Sequence, residues 1–216
     1  MKLPLSTPDL IVGRLRSDIV SGRLAPGEPL RQDEIARSFG VSHVPVREAF
    51  LRLQAERLVE IRPRRGAIVA ELSAAELEEL NEMRAALECC ALRIAMPKFT
   101  DDDLQKAAQV LDRIDQQPER WAELNTAFHT LLYAPAERPR QLATILSLQR
   151  SLERYVYYVY YELKMTDAFT DSQREHRKLL KLIEARKVEE ACSLVNDHIL
   201  EPWGVVVAKL RESGHA

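Results

Sequence analysis

Glycine is scarce in this sequence, cysteine is scarcer, and long apolar runs are missing. Seven glycines among 216 residues, with abundant Leu, Ala, Glu and Arg, describe an ordinary soluble globular chain. No apolar run approaches the roughly 20 residues of a membrane span, which argues against a membrane protein. The opening segment MKLPLSTPDL has no long apolar core, so no signal peptide is expected, and the chain reads as cytoplasmic. Cys89 and Cys90 are adjacent and Cys192 is distant. An odd count without CxxC spacing argues against a disulfide framework or a thiolate zinc site, and buried reduced thiols are expected. A strand pattern is absent beyond Ser73. The β-prone run Tyr155–Tyr161 is flanked by helical segments and is read as helix.

The charge is unevenly spread. Met1–Leu72 holds 12 Lys and Arg against 9 Asp and Glu, while the remainder holds 19 against 24. A length of 216 residues allows one or two domains. The sign difference suits a nucleic-acid module joined to a second module of another kind.

Leu30–Val69 carries the most information. Leu30, Ile35, Ala36 and Phe39 repeat at helical spacing, and Gly40 follows where a left-handed C-cap favours glycine. Val41 is expected to plug the turn. Ser42 stands at an N-cap position and Pro45 in the first turn of a second helix. Val46, Ala49, Phe50 and Leu53 form its inward stripe, leaving Arg47, Glu48 and Arg52 off it. Two helices across a tight turn, the second with exposed basic residues, make a helix-turn-helix layout. Val59 and Ile61, then Ala67, Ile68 and Val69, flank Arg64-Arg65-Gly66 as a two-stranded basic wing. An amphipathic helix precedes this unit, with Thr7 as its expected N-cap and Pro8 as its first residue.

Beyond Ser73 the chain reads as six helices. Ser73 and Glu76 have capping-box spacing, and Leu77, Leu80, Met83, Leu87, Ala91 and Ile94 form the first stripe. Thr100 caps the second helix ahead of three aspartates that complement its dipole. A third opens at Pro118, a fourth runs from about Pro139 to Met165, a fifth covers Asp171–Arg186, and a sixth covers Val188 to about Arg211 with Pro202 inside it. Short connections imply an antiparallel all-α bundle. The expected division is therefore residues 1–72, a winged helix-turn-helix, and 73–216, a helical bundle.

Three of the five histidines share a placement. Asn125 and His129 are four apart and point the same way on one helix. His176 and His198 lie at near-equal distances either side of the turn at Lys187–Val188, roughly 15 Å down the hairpin at ~1.5 Å per residue. Three imidazoles and a carboxamide make a transition-metal site with open positions.

The elements SGRLAPGEPL, DEIARSFGVS, PVREAFLRLQAERLV and RRGAIV, in that order, resemble the DNA-binding domain of GntR-type transcriptional regulators over about Leu10–Val69. The resemblance implies a homodimer on a short pseudo-palindromic double-stranded operator. Arg47 is placed to reach guanine or a phosphate. Ser42 and His43 stand at the helix N-terminus, and Arg31 and Arg52 join the contact set. Arg64, Arg65 and Gly66 would enter or skirt the minor groove. The family usually has Arg-Thr where this chain has His43-Val44. Losing that arginine removes a contact worth roughly 1–3 kcal/mol of base discrimination, so a shifted operator is expected. Val44 offers only an apolar contact, such as to a thymine methyl.

The second half resembles the FCD effector domain of the FadR-like branch, in its shorter six-helix form. There an Asp-x-x-x-His pair and two later histidines bind a divalent metal. Asn125, His129, His176 and His198 match by position, with Asn125 in place of the usual Asp. An amide brings no charge, which implies weaker metal binding and more dependence on an anionic effector. Zinc is the expected cofactor, with nickel or manganese as alternatives. Arg84 matches a family arginine facing the pocket and could pair with a small carboxylate effector. The expected function is a metabolite-responsive regulator, a repressor at family level, and not an enzyme. The alternatives are a constitutive DNA-binding regulator whose helical part only dimerises, and a metal-dependent hydrolase.

Overall fold

The computed structural model describes residues 6–62, 66–157 and 168–214. These residues fall into two compact units. The first comprises Met1–Ser73, Arg150–Lys164 and Glu212–Ala216, and the second Ala74–Gln149 and Met165–Arg211. The first unit ends its leading segment one residue past the expected boundary and also takes in chain from Arg150 onward, which the division 1–72 and 73–216 does not.

In the first unit, α1 spans Thr7–Val20, α2 Gln32–Phe39 and α3 His43–Ala55. Ser6, not Thr7, caps α1. Ser6 has extended backbone and exchanges hydrogen bonds with Asp9 in a capping box, so Thr7 is already helical. Gly40 adopts φ +65°, and Val41 N–H closes on Ala36 C=O at 3.0 Å, a Schellman-type stop. That turn aims α3 away from α2. Ile11, Leu15, Val46, Phe50 and Leu53 fill the core between the helices. Each such side chain contributes about 1.5–3 kcal/mol through burial.

The wing holds three strands rather than the expected two. β1 (Pro29–Leu30), β2 (Val59–Arg62) and β3 (Gly66–Val69) are ordered β1-β3-β2, antiparallel throughout. A two-residue strand opening on proline has no readable alternation, and proline is tolerated there because β1 is an edge. Gly66 starts β3 at φ +81°, opposite Arg62, in a conformation that favours glycine. The expected wing-tip residues Arg64 and Arg65 lie outside the described residues.

The second unit is built from α4 (Ala74–Ala95), α5 (Asp101–Gln116), α6 (Trp121–Tyr133), α7 (Pro139–Tyr157), α8 (Ala168–Glu184) and α9 (Val188–Glu212), with α7 running on into the first unit. Thr100 caps α5 in a capping box with Asp103. Pro118 opens a 3₁₀ turn, and the helix proper begins at Trp121. Arg186, at φ +57°, turns the chain between α8 and α9 and donates to the Met96 and Phe99 carbonyls. Leu92, Met96, Leu111, Phe128 and Val195 lie in the core. One expected core position is a surface one: Met83 is exposed, because it falls off the buried arc through Leu80, Ala85 and Glu88. Of the three thiols, only Cys192 is fully buried. Cys89 is half-buried and Cys90 is exposed, since neighbouring helical residues point about 100° apart. Burial raises the Cys89 thiol to about 11.

At the end of the first unit, α7 holds the connector. The Tyr155 hydroxyl accepts from the Ser73 N–H at 3.3 Å and donates to the Ser73 carbonyl at 3.2 Å, while Arg154 donates to the Glu71 carbonyl. Tyr155 is fully buried. The rest of the tyrosine run, from Tyr158, lies outside the described residues.

Candidate metal centre and DNA-reading helix

His129 on α6, His176 on α8 and His198 on α9 come together, with one ring nitrogen of each within 4.8 Å of the others. Near-equal distances from the turn between α8 and α9 bring His176 and His198 side by side, with their Nε2 atoms 3.2 Å apart. His129 and His176 are 1% exposed.

The outer nitrogen of each ring is held by a different group. His129 Nδ1 lies 3.3 Å from the Tyr133 hydroxyl, His176 Nδ1 3.2 Å from Gln173 Oε1, and His198 Nδ1 2.6 Å from Glu175 Oε2. An amide oxygen and a carboxylate only accept, so His176 and His198 carry their protons on Nδ1. Tyr133 donates its own hydrogen to Glu88 at 2.7 Å, so its oxygen accepts from His129 Nδ1–H. All three Nε2 atoms therefore present lone pairs inward. Two lone pairs facing each other at 3.2 Å repel, apart from what the Ser172 hydroxyl relieves at 3.4 Å from His176 Nε2. His129 Nε2 and Asn125 Oδ1 are both buried and have no hydrogen-bond partner among the described residues.

Burial favours the neutral form of His129 and His176. Burial, then the neighbouring His198 and Arg84, holds His129 well below the usual imidazole range. Burial, then His129 and His198, does the same for His176. The hydrogen bond from His198 lowers the Glu175 carboxyl. Neutral imidazoles oriented by outer-shell partners are the protonation state that metal ligation requires. The three imidazole nitrogens fit a divalent transition metal.

Arg84, expected to meet an effector, is already engaged. It donates from Nε to Glu88 at 3.0 Å and lies 3.5 Å from Asn81 Oδ1. Glu88 is 0% exposed and also accepts from Tyr133 and from Gln149 at 3.3 Å. Sequence reasoning missed Glu88, Tyr133 and Gln173. The signal for Glu88 was its spacing of four from Arg84, on the arc shared with Asn81 and Ala85. Tyr133 follows His129 by the same one turn.

The other expected site residues lie on the first unit. Ser42 precedes α3, but its side chain makes no capping hydrogen bond. His43 opens α3 with Nε2 3.1 Å from Asp33. Val44 is 73% exposed. Arg47 is exposed and forms no ion pair among the described residues. Arg31 pairs weakly with Glu34 at 3.4 Å. Arg52 pairs with Glu48 on its own helix at 2.5 Å and with Asp9 at 2.6 Å, and the second pair ties α3 to α1. Its guanidinium already has partners.

A helix-turn-helix with a wing and a histidine-bearing bundle are both matched by known families. Residues 79–201 match the FCD domain, and residues 9–69 match the bacterial regulatory proteins of the gntR family. The HTH-type transcriptional repressor RspR of Escherichia coli (strain K12) is 31% identical over 192 residues, 87% of this chain and 83% of that protein. The chain belongs to the gntR family. This gntR-family chain is also similar to the HTH-type transcriptional repressor GlaR of Escherichia coli (strain K12), at 26% identity over 202 residues, 89% of this chain and 92% of that protein. The solved structure of E. coli McbR/YncC has the same fold, with a TM-score of 0.72 over 95% of this chain and 99% of that one, at 23% identity. The protein is a DNA-binding transcriptional regulator and not an enzyme. Among the described residues no helix is long and apolar enough to cross a membrane.

Proposed function

We propose that this gntR-family regulator is a metabolite-responsive repressor that works as a cytoplasmic homodimer. In this reading residues 1–72 bind a short pseudo-palindromic operator. Ser42, His43, Val44 and Arg47 form the base-reading edge, Arg31 and Arg52 flank it, and Arg64, Arg65 and Gly66 supply the wing. Residues 73–216 bind the effector and dimerise. His129, His176, His198 and Asn125 hold a divalent metal, with zinc first and nickel or manganese next. The observation that carries this reading is the inward turn of three Nε2 lone pairs, each fixed by a separate partner on the far side of its ring. A bound cation would supply a Lewis-acidic position for a carboxylate oxygen. Arg84 would hold a second carboxylate oxygen, exchanging part of its bond to Glu88 for the ligand. Effector and operator must then change each other's affinity reciprocally.

The test is metal analysis of the purified protein with a thermal-shift screen of small carboxylic acids, run with and without chelator. An acid that stabilises the protein only in the metal-loaded state, and fails on His129→Ala, supports the reading. The same acid should shift the protein's affinity for its own upstream DNA in an electrophoretic assay. A metal-free protein indifferent to every acid sinks it in favour of a constitutive regulator.

A further inference from the structure

We propose that Asp33 is a specificity-determining residue of the DNA-reading edge, acting through His43. This rests on the reading of the α3 N-terminus as the edge that meets bases. Asp33 lies in the first turn of α2, and His43 is the first residue of α3. Two contacts cross from one helix start to the other. Asp33 Oδ1 is 3.1 Å from His43 Nε2, and Gln32 Nε2 donates to the His43 carbonyl at 2.9 Å. The start of α2 thereby fixes both the backbone and the ring at the start of α3.

The hydrogen-bond logic sets what the ring can read. A carboxylate only accepts, so Nε2 must carry a proton, and with a single proton the ring keeps its lone pair on Nδ1. An imidazole held this way offers an acceptor. It complements the exocyclic amino groups of cytosine N4 and adenine N6, and not guanine O6 and N7. The family's usual arginine at this position offers donors alone, so the exchange inverts the polarity of the contact. Asp33 is what makes the inversion definite, because histidine alone could turn either nitrogen outward. Both partners are more than half exposed, where such a contact adds little to stability. Along α3 the edge then presents an acceptor at His43, an apolar group at Val44 and a donor at Arg47, which is three different chemistries within one turn.

Sites should be selected from randomised duplex DNA with full-length wild type, Asp33→Ala, Asp33→Asn, His43→Ala and the double variant Asp33→Ala/His43→Ala. Circular dichroism would confirm that each is folded. Wild type is expected to favour an amino-bearing base at one half-site position, and Asp33→Ala to relax that preference about five- to tenfold. Asp33→Asn can donate to Nε2 and so release Nδ1–H, and it should swing the same position toward guanine. The double variant should match His43→Ala. A role through charge alone predicts uniformly tighter binding with an unchanged consensus, and that result overturns the proposal. If His43→Ala flattens the position while both Asp33 variants leave it intact, only the role of Asp33 fails. If His43→Ala changes nothing, the base-reading edge fails and the role of Asp33 with it.

Discussion

The histidine cluster of α6, α8 and α9 keeps its polar groups out of water, whereas the edge formed by α2 and α3 leaves them in it. In the cluster, the outer ring nitrogens, Tyr133, Glu88 and Gln173 all have protein partners, and His129 Nε2 is buried without one among the described residues. At the edge, Ser42 leaves its capping role unused, Arg47 lacks an ion pair among the described residues, and Val44 sits in solvent. The difference reflects what each must do. A buried site has to be built before its ligand arrives, because an unpaired polar atom there costs free energy. A DNA-facing edge can leave its groups to water until the duplex replaces it. Substitutions should therefore be expensive in stability at the first and nearly silent at the second.

Glu88→Ala is the sharpest way to break that contrast. It strands the Arg84 guanidinium, the Tyr133 hydroxyl and the Gln149 amide, and a loss of about 3–5 kcal/mol is expected in denaturant unfolding. A loss under about 1 kcal/mol would mean the network is far wetter than its burial implies. The second expected effect is on pH. His129 and His176 have folded-state values well below the usual 6.5, so below pH 6.5 the unfolded chain binds more protons than the folded one. Stability of the metal-free protein should then fall as pH drops below 6.5, by up to about 1.4 kcal/mol per pH unit for each histidine. Unfolding of His129→Ala/His176→Ala across the same range should lack this slope, and a slope that persists would assign it elsewhere. The smallest stability effect is expected at the edge. Arg47→Ala should change unfolding by no more than about 0.5 kcal/mol. It should still weaken operator binding and lower the salt-dependence slope by about 1 if Arg47 meets a phosphate. Equal losses of stability and binding would erase the contrast from the other side.

Much of this was legible in the sequence because it is local. Gly40 ending α2, Thr100 capping α5 and the matched distances of His176 and His198 from their turn each follow from spacing along one or two helices. What the sequence concealed is set by tertiary pairing. Pro29–Leu30 becomes a strand only because β3 offers it a partner, and Glu88 is buried only because Arg84, Tyr133 and Gln149 converge on it from three helices. Ser6 took the cap from Thr7 on a shift of one residue, a scale at which helix ends are hard to read. The Asp33–His43 contact joins two helix starts ten residues apart, and no periodicity marks it.

The order β1-β3-β2 has a bearing on how this protein behaves at high concentration. Its sheet has two outer strands, each a potential template for pairing with another chain. One is two residues long and begins with a proline that has no N–H to give. The other carries Glu60 and Arg62. Short length, a missing donor and flanking charge are how natural sheets resist growing edge to edge, and the buried β3 between them never meets solvent as an edge. Destabilising the wing would expose the Ala67-Ile68-Val69 run, so aggregation should track wing unfolding rather than loss of the bundle.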